Sequence, residues 1–488
     1  MNYDFAVIGG GIAGLTAALI LARRGLRVAL VEKGERTATL VRGFERRGLR
    51  FDTGFHYAGG LAPGDILDRF CQYLGIAEKL SPQPLNADAY DTLRCLQPEF
   101  EFRFPSGREP LRQRLHATFP REGGAIDAYL LEIDRAVAAF PYMSLEAAQP
   151  PELAESPTLQ QVLDRLTGDR RLQMVLSIHT FLHGVAPAQI PFPLHAMVVG
   201  PYYRTAHTLQ GGGASLADAF DGELARLGVD TFCGEGVEAI LLASDRVSGL
   251  RLTGGRTLAC NGCIATLHPR QLLDLVPDPV FRPAYRRRLH SLEETPSACF
   301  RFGAGPEPPS GLGDGNFFLL PTVEACSRLE EMDLAPGPLY VTGAPSIKSG
   351  CQPGGYLSIF PIGTRMLGPA RKGDGRRDAA YTLEKGRLEQ KMRDKMLLFF
   401  PQWGDDWSEA ATPHTLCDYG HSPAGSLYGV KHRVGQTNPQ ARTRLPGLWL
   451  AGQATAAPGV LGAIISAFLA CGEIVGHEKL RQELQACR

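Results

Sequence analysis

Three glycines near the start of the chain have the spacing that binding of a diphosphate requires. Gly9, Gly11 and Gly14 form the pattern G-x-G-x-x-G. The first glycine permits a tight turn, the second lets backbone N–H groups approach the phosphates, and the third lets a helix pack closely on a strand. Glu32 follows at the spacing of the acidic residue that binds ribose hydroxyls. These residues predict a dinucleotide site, and a purely structural glycine turn is the alternative.

The segments around these glycines predict a strand, a helix and a second strand. Residues 4–8 form a short apolar run that suits a buried parallel strand. Apolar side chains recur at helical spacing over residues 15–22, and Gly25 can end that helix. Residues 26–31 predict the second strand, which Glu32 follows. The start of the helix would offer N–H donors and a positive dipole end to the phosphates.

The composition excludes several classes of protein. The chain has 488 residues, of which 44% are hydrophobic and 21% charged, so wholesale disorder is excluded. Lys and Arg number 51, as do Asp and Glu, and this balance argues against a nucleic-acid partner. Residues 5–22 are interrupted by glycines and lack a positively charged start, unlike a signal peptide or membrane span. We therefore expect a cytoplasmic protein of two or three domains.

The cysteines and histidines predict neither a disulfide framework nor a metal site. The 11 cysteines are an odd number scattered along the chain, which favours free thiols in a reducing compartment. Cys260 and Cys263 form a C-x-x-C pair, and the Asn-Gly between them favours a turn between strands. His179 and His183 could pair on one face of a helix, but no acidic third ligand is near them in sequence.

Longer segments at both ends of the chain resemble a family of FAD-binding proteins. Residues 48–57, GLRFDTGFHY, are similar to the loop that leads to the flavin in retinol saturases. Residues 445–453, LPGLWLAGQ, followed by PGVLGA at 458–463, resemble the C-terminal FAD motif of the family. Residues 210–213 and 234–237 give a weaker match. The chain thus resembles the carotenoid desaturase, carotenoid isomerase and retinol saturase flavoproteins, and most of all the retinol saturase branch.

The resemblance implies that FAD is the cofactor. In the family, the valine that ends the 234–237 segment touches the adenine through its backbone. The helix that begins near residue 459 would place N–H donors beside the flavin ring. With the glycine motif, the implied cofactor-binding residues are Gly9, Gly11, Ile12, Ala13, Gly14, Glu32, Lys33, Arg42, Val237, Gly452, Gln453, Gly459, Val460, Leu461 and Gly462.

Some positions depart from the family pattern. Ala38-Thr39 stand where relatives have Gly-Gly, which leaves the path of this loop open. Gln453 replaces an aspartate that many relatives place after the glycine, so its contact with the cofactor would be neutral. Arg42 is our candidate for a contact with the pyrophosphate or the flavin edge, and a solvated surface arginine is the alternative.

The resemblance also implies the fold class, which is α/β. It predicts a segmented, glutathione-reductase-like FAD-binding domain of the Rossmann type with an inserted α+β substrate domain. The FAD-binding domain would comprise residues 1–60, 200–290 and 425–488, and the substrate domain residues 61–199 and 291–424. No second G-x-G-x-x-G occurs, which argues against a separate NAD(P)H domain.

Within the inserted segments, periodicity predicts further elements. Residues 100–104 alternate with period two and predict a strand, as do residues 355–360. Residues 111–180 are expected to be mainly helical. Residues 378–400 predict a charged amphipathic helix whose apolar end, residues 397–400, could pack in the core or contact a membrane surface.

Four side chains are candidates for proton transfer at the flavin. His56 and Tyr57 lie where relatives bring the chain near the ring. Tyr428 and His432 lie in a segment that resembles a retinol saturase sequence close to the flavin. Each could donate or accept a proton beside a conjugated double bond, and histidine titrates near neutrality. A packed core residue is the alternative for each of them.

The resemblance implies an FAD-dependent oxidoreductase that desaturates, saturates or isomerises carbon–carbon double bonds of an apolar polyprenoid or other long-chain unsaturated substrate. The cofactor carries the hydride while the protein orients the substrate. Two alternatives stay open, a flavin amine oxidase and a non-enzymatic prenyl-lipid carrier of the Rab GDP-dissociation-inhibitor type. The expected partners are an apolar small molecule and a membrane surface at the periphery, without nucleic acid. The substrate, the reaction direction and the oligomeric state are not predicted.

Overall fold

Two large β-sheets organise the fold. The computed structural model describes residues 2–147, 151–305, 311–327, 329, 337–344, 354–363 and 377–487. In chain order the strands are β1 (Asn2–Ile8), β2 (Val28–Glu32), β3 (Phe44–Arg46), β4 (Leu49–Phe51), β5 (Ala58–Gly59), β6 (Pro82–Pro84), β7 (Asp91–Gln97), β8 (Phe100–Phe104), β9 (Ala206–Leu209), β10 (Asp230–Cys233), β11 (Val237–Ala243), β12 (Arg246–Leu252), β13 (Thr257–Ala265), β14 (Ser297–Gly305), β15 (Asn316–Thr322), β16 (Leu339–Gly343), β17 (Gly354–Ile362), β18 (Trp407–Ala411) and β19 (Leu448–Leu450).

Helices cover both sheets and connect their strands. In chain order they are α1 (Ile12–Ala22), α2 (Thr39–Arg42), α3 (Ile66–Leu74), α4 (Arg108–Thr118), α5 (Gly123–Ala138), α6 (Leu159–Leu166), α7 (Arg170–Ser177), α8 (Phe192–Tyr202), α9 (Gly212–Arg226), α10 (Pro269–Leu275), α11 (Pro283–His290), α12 (Ala379–Phe399), α13 (Pro413–Gly420), α14 (Gly459–Val475) and α15 (His477–Ala486). Short 3₁₀ turns occur at Ala77–Lys79, Ile178–Leu182, Val323–Ser327 and Pro423–Gly425. Within the described ranges, no helix is both long and apolar enough to cross a membrane.

The first sheet has the Rossmann arrangement that the glycine motif predicts. Its order is β10-β2-β1-β13-β12-β11, and β19 also pairs with β13. Strand β1 runs parallel to both β2 and β13 in the middle of the sheet. Its strands come from three separate stretches of sequence, 2–32, 230–265 and 448–450. The predicted α/β class with a segmented Rossmann-type unit is therefore confirmed.

The second sheet is built from both inserted segments. Its order is β18-β14-β17-β16-β15-β7-β8, in which β15 pairs with β7 in parallel. One face packs on α12 through the buried Leu388, Met392 and Met396. The predicted strands at 100–104 and 355–360, the helix over 378–400 and the helical character of 111–180 are confirmed.

The expected turn in the C-x-x-C pair is wrong. Asn261 and Gly262 lie inside the continuous strand β13, and both thiols are buried and free. A β-carbon at Gly262 would lie 2.9 Å from the Phe5 ring and 3.1 Å from the Trp449 ring. Glycine is therefore present for close packing and not for a turn.

The expected pairing of His179 with His183 is also wrong. The chain forms a 3₁₀ turn over Ile178–Leu182, which does not align the two rings on one α-helical face. His179 bonds to Asp91 instead, and His183 bonds to His195. Among the described residues, no group of three or more His, Cys, Asp or Glu side chains could hold a metal ion.

Candidate active site

A cavity of about 1100 Å³ is lined by residues of both sheets. The glycine motif after β1, the start of β11 and the loop after β19 line one part of it. Aromatic and aliphatic side chains of β14 to β17 line another part. The same cavity therefore joins the predicted dinucleotide site to an apolar chamber.

The turn after β1 has the shape that close approach of phosphates requires. Gly9 has φ +104, and a β-carbon there would lie 2.5 Å from Thr266 Oγ1. A β-carbon at Gly11 would meet no atom within 4 Å, so the space in front of this residue is open. Helix α1 begins directly afterwards without a side-chain cap. Its first N–H groups are thus available to an anionic ligand.

Glu32 lies across this turn. Its carboxylate accepts hydrogen bonds from the Gly10 N–H at 2.5 Å and the Gly34 N–H at 2.6 Å. A carboxylate has about four lone-pair sites, so it can accept further hydrogen bonds from ribose hydroxyls. Lys33 and Val237, which are two of the expected cofactor-binding residues, line the cavity beside it.

The C-terminal motif forms a second open helix start. Helix α14 follows Pro458 and has no side-chain cap, and its residues Gly459, Val460 and Leu461 line the cavity. A β-carbon at Gly462 would lie 2.2 Å from the carbonyl oxygen of Ala457, so this position needs glycine. The motif therefore directs backbone N–H donors of α14 toward the cavity. The first turn of α14 contains no acidic side chain.

Arg42 does not join these residues. Its guanidinium forms ion pairs with Asp218 and Asp221 on α9 and donates from Nε to the Thr37 carbonyl at 3.3 Å. The arginine is absent from the residues that line the cavity. Acidic residues of a neighbouring helix hold it away, which its position in the sequence could not show.

Ala38 explains how the loop keeps its path without the glycine pair. Its backbone has φ +51, in the left-handed region that glycine adopts at less cost. The Ala38 N–H donates to the Gly10 carbonyl at 2.7 Å, which ties the loop to the glycine turn. The loop is thus retained with some backbone strain at one residue.

Three of the four candidates for proton transfer line the cavity. They are His56, Tyr57 and Tyr428. The Tyr57 hydroxyl donates to Asp91 Oδ2 at 2.7 Å, and the Tyr428 hydroxyl donates to the Phe181 carbonyl at 2.9 Å. Burial raises the pKa of both phenols, so both stay protonated at neutral pH.

His432 lies behind the cavity wall and not in it. Its Nε2–H donates to the Gln453 carbonyl at 2.7 Å, and its Nδ1 accepts from Asn438 Nδ2–H at 3.2 Å. Burial lowers the pKa of His432 to about 4, so the ring is neutral at pH 7. The histidine therefore holds the backbone of Gln453, whose side chain lies at the cavity.

A buried polar cluster beside Tyr57 was missed by the sequence analysis. Asp91 is fully buried at the start of β7 and accepts hydrogen bonds from Tyr57, His179 and Asn316. No motif marks these residues, because their partners come from distant parts of the chain. Asp91 begins the segment DTLRCLQ, whose mixed polarity gives no signal of a buried acid.

The apolar chamber is formed mainly by the second sheet. Phe300 and Phe302 of β14, Phe318 of β15, Tyr340 of β16 and Ile359 of β17 line it. Such a surface favours an apolar ligand, because the ligand and the side chains both leave water on binding.

Charged residues line part of the cavity near its exposed side. Arg46 of β3 and Glu409 of β18 line it and form two hydrogen bonds with each other, of 2.8 and 3.1 Å. Their side chains are 54% and 43% exposed. This pair marks a polar, solvent-facing rim of the otherwise apolar chamber.

Comparison with known proteins gives similarity over the whole chain. Residues 7–74 match the family model of an NAD(P)-binding Rossmann-like domain. The all-trans-retinol 13,14-reductases of Rattus norvegicus and Homo sapiens are each 26% identical, over 99% of this chain and 87% of theirs. The carotenoid 3,4-desaturase of Haloarcula japonica is 26% identical over 44% of this chain and 46% of its own.

Solved structures share the fold over nearly the full length. A redesigned putrescine oxidase has a TM-score of 0.65 at 14% identity, covering 99% of both chains. An oxidoreductase from Methanosarcina mazei has a TM-score of 0.64 at 16% identity, covering 96% of this chain and 99% of its own. The similarity to these reductases and desaturases, together with the Rossmann-type fold, defines the class of the protein as an oxidoreductase. The chain is similar over nearly its full length to retinol 13,14-reductases, and over about half of its length to carotenoid desaturases.

Proposed function

We propose that this chain is an FAD-dependent oxidoreductase that adds or removes hydrogen across carbon–carbon double bonds of an apolar polyprenoid-type substrate. One observation carries the proposal: a single cavity joins the glycine turn after β1 to the aromatic chamber of the second sheet. The relatives named above act on retinol and on carotenoids, by their names, and such substrates suit an apolar chamber.

The residues present fit FAD. The open space at Gly11 and the uncapped start of α1 suit the diphosphate, and Glu32 suits the adenosine ribose. Gly452 and Gln453 would contact the flavin half, and the start of α14 would face the flavin ring. When bound, FAD supplies or accepts the hydride. The chain binds and orients the substrate and excludes water from it.

The strands of each large sheet fall within one of the two proposed domains. The strands of the first sheet fall within 1–60, 200–290 and 425–488, which we assign to FAD. Those of the second sheet fall within 61–199 and 291–424, which we assign to the substrate. A cavity between two such units is a common place for a ligand site.

The first experiment is the visible absorption spectrum of the purified protein before and after denaturation. A flavin band that is released as FAD supports the proposal. The reduced and oxidised forms are then mixed anaerobically with a retinoid and with a carotenoid, and a change in the flavin band reports turnover. A colourless protein that does not bind added FAD would overturn the proposal and favour the prenyl-lipid carrier.

An amine oxidase is the second candidate, because tyrosine rings form part of the wall. Tyr57, Tyr202, Tyr340 and Tyr428 all line the cavity. The faces of aromatic rings attract cations such as protonated amines. The test is hydrogen peroxide release when the FAD-loaded protein meets a primary amine or a polyamine in air. Peroxide release with amines and inertness toward polyenes would favour this candidate.

Contact with a membrane surface stays a prediction. On α12, Leu383 is 60% exposed and Leu398 is 62% exposed, whereas Phe399 is packed in the core. The apolar end of the helix thus contributes Phe399 to the core and leaves Leu398 exposed. Flotation with lipid vesicles, for the natural chain and for Leu398→Gln, measures the contact, and no flotation of either would contradict it.

A further inference from the structure

The reduction of a carbon–carbon double bond requires a proton as well as a hydride. When bound, FAD would supply the hydride to one carbon, and a proton must reach the neighbouring carbon. The cavity wall must therefore contain a group that gives up a proton and regains it. His432 cannot be that group, because it lies behind the wall with both ring nitrogens bonded.

Tyr57 differs from Tyr428 in what lies behind its hydroxyl. The Tyr428 hydroxyl donates a hydrogen bond to the backbone carbonyl of Phe181, which cannot return a proton. The Tyr57 hydroxyl ends at Asp91 Oδ2, a titratable oxygen, at 2.7 Å. Tyr57 is thus a cavity-lining phenol directly connected to a buried acid.

The same oxygen of Asp91 continues to a histidine. His179 Nε2 lies 3.0 Å from Asp91 Oδ2, and both side chains are fully buried. The other carboxylate oxygen, Oδ1, accepts from Asn316 Nδ2–H at 2.9 Å. Thr342 donates to the Asn316 amide oxygen at 2.7 Å and fixes its orientation. Oδ2 is therefore the atom that both Tyr57 and His179 reach.

Asp91 and His179 form a buried pair of ionisable groups in direct contact. An ionised carboxylate without water is costly, and a positively charged partner offsets that cost. His179 supplies that charge when its ring is protonated, and the pair is then neutral as a whole. His179 Nδ1 is buried and has no hydrogen-bond partner among the described residues.

We propose that Tyr57, Asp91 and His179 form the proton relay of the reaction, an inference that rests on the proposed function. In reduction, the Tyr57 O–H bond breaks as a C–H bond forms on the substrate. The Tyr57 oxygen takes a proton through Asp91 Oδ2, which takes the proton of His179 Nε2. Tyr57 and Asp91 return to phenol and carboxylate, and His179 has lost one proton. Oxidation runs the same transfers in reverse.

In this relay only Tyr57 touches the substrate, and Asp91 and His179 act through it as positioning residues. Three substitutions approximate the natural size and remove the group that transfers the proton: Tyr57→Phe, Asp91→Asn and His179→Gln. The matched control is Tyr129→Phe. Tyr129 is also fully buried, and its hydroxyl lies 3.3 Å from His195 Nε2, but it does not line the cavity.

The experiment is an anaerobic single turnover of the reduced, FAD-loaded protein with a polyene in H₂O and in D₂O. For the natural chain we expect a solvent isotope effect on C–H formation and deuterium in the product. Tyr57→Phe should slow the step by roughly 100-fold or more while substrate affinity changes little. Asp91→Asn and His179→Gln should slow it and change the isotope effect. Tyr129→Phe should retain the natural rate per bound flavin.

The outcomes separate the relay from a structural role and from the proposed function. Flavin content and melting temperature show whether each variant is folded. Natural rates and isotope effects in folded Tyr57→Phe would overturn the relay. If that variant does not fold, a natural chain whose C–H forming step has no solvent isotope effect overturns it equally. A natural chain that turns over no polyene would overturn the proposed function itself, and the relay with it.

Discussion

Gly14 packs directly against the carbonyl oxygen of Gly9, where a β-carbon on Gly14 would lie only 1.9 Å away. Gly11, which lies between these two glycines in sequence, faces open space within the cavity. The motif thus contains one glycine that permits close packing of α1 and one that leaves the cavity open. Open space at Gly11 and close packing at Gly14 are the features that the spacing of the motif predicts for these two positions.

This difference predicts opposite effects for two alanine substitutions. Gly14→Ala should lower the free energy of unfolding by about 1–3 kcal/mol or more, because backbone atoms cannot move aside cheaply. Gly11→Ala should leave the melting temperature nearly unchanged and weaken FAD binding by about tenfold, because the new methyl group occupies the approach of the diphosphate. Thermal unfolding and fluorescence titration with FAD measure both. An unstable Gly11→Ala protein would contradict the assignment.

The motifs of the cofactor site could be predicted from the sequence because their chemistry depends on local backbone. Gly9, Gly11 and Gly14 fix a turn over six residues, and the strand and helix around them follow from periodicity. Glu32 could be placed for the same reason, since it ends the next strand of the unit. These residues need no distant partner to be recognised.

The residues that could not be predicted depend on distant partners. Arg42 is drawn to Asp218 and Asp221, about which its own neighbours in sequence carry no information. Asp91 acquires its role only when Tyr57 and His179, far away in sequence, meet it in the core. The strand that periodicity predicts in this segment is 100–104, the neighbour of the strand that carries Asp91, and the partners of the Asp91 side chain follow from neither.

His432 should affect cofactor binding without taking part in the chemistry. His432→Ala removes the donor to the Gln453 carbonyl, and a buried unpaired carbonyl costs about 1–3 kcal/mol. We expect FAD affinity to fall about tenfold, which corresponds to about 1.4 kcal/mol. His432→Gln retains an N–H donor and should restore most of the affinity. Loss of turnover in His432→Gln with unchanged FAD affinity would show that the ring itself takes part in the reaction.

Three buried neutral histidines should make the protein sensitive to acid. Burial lowers the pKa of His183 to about 3, that of His432 to about 4, and that of His195 well below its ordinary value of 6.5. The pKa of each ring is lower in the folded state than in the unfolded state. The contribution of these neutral rings to the free energy of unfolding is therefore complete above pH 6.5, and it is lost as the pH falls through the folded-state pKa values.

Below pH 6.5, each of these histidines should lower the free energy of unfolding by about 1 kcal/mol for each unit that the pH falls. Urea unfolding at a series of pH values between neutrality and pH 4 measures it. Replacing His432 by glutamine should reduce the slope by the share of one histidine. A free energy of unfolding that stays constant over this interval would contradict neutral burial of the three rings.

Because Arg42 lies outside the residues that line the cavity, we expect it to make no contact with FAD. Arg42→Ala breaks the ion pairs with Asp218 and Asp221, both of which are partly exposed, so stability should fall by only about 1 kcal/mol. FAD affinity should stay within about twofold, a difference well under 1 kcal/mol. Equilibrium titration with FAD decides the matter, and a large loss of affinity would place the guanidinium at the cofactor after all.

Ala38 is the residue at which glycine should improve the protein. Its φ of +51 lies in the left-handed region, where alanine is strained and glycine is not. Ala38→Gly relieves that strain but gains entropy in the unfolded chain, and the strain is the larger of the two terms. We therefore expect a free energy of unfolding higher by a few tenths to about 1 kcal/mol. FAD affinity should be retained, because the Ala38 N–H bond to the Gly10 carbonyl belongs to the backbone and survives the change.

Gly25→Ala is the matched control, for which we expect the opposite change in stability. Gly25 has φ +76, which makes a β-carbon costly although no atom lies within 4 Å of it. Urea unfolding of both variants measures the two signs, and a destabilised Ala38→Gly protein would show that this loop is not strained.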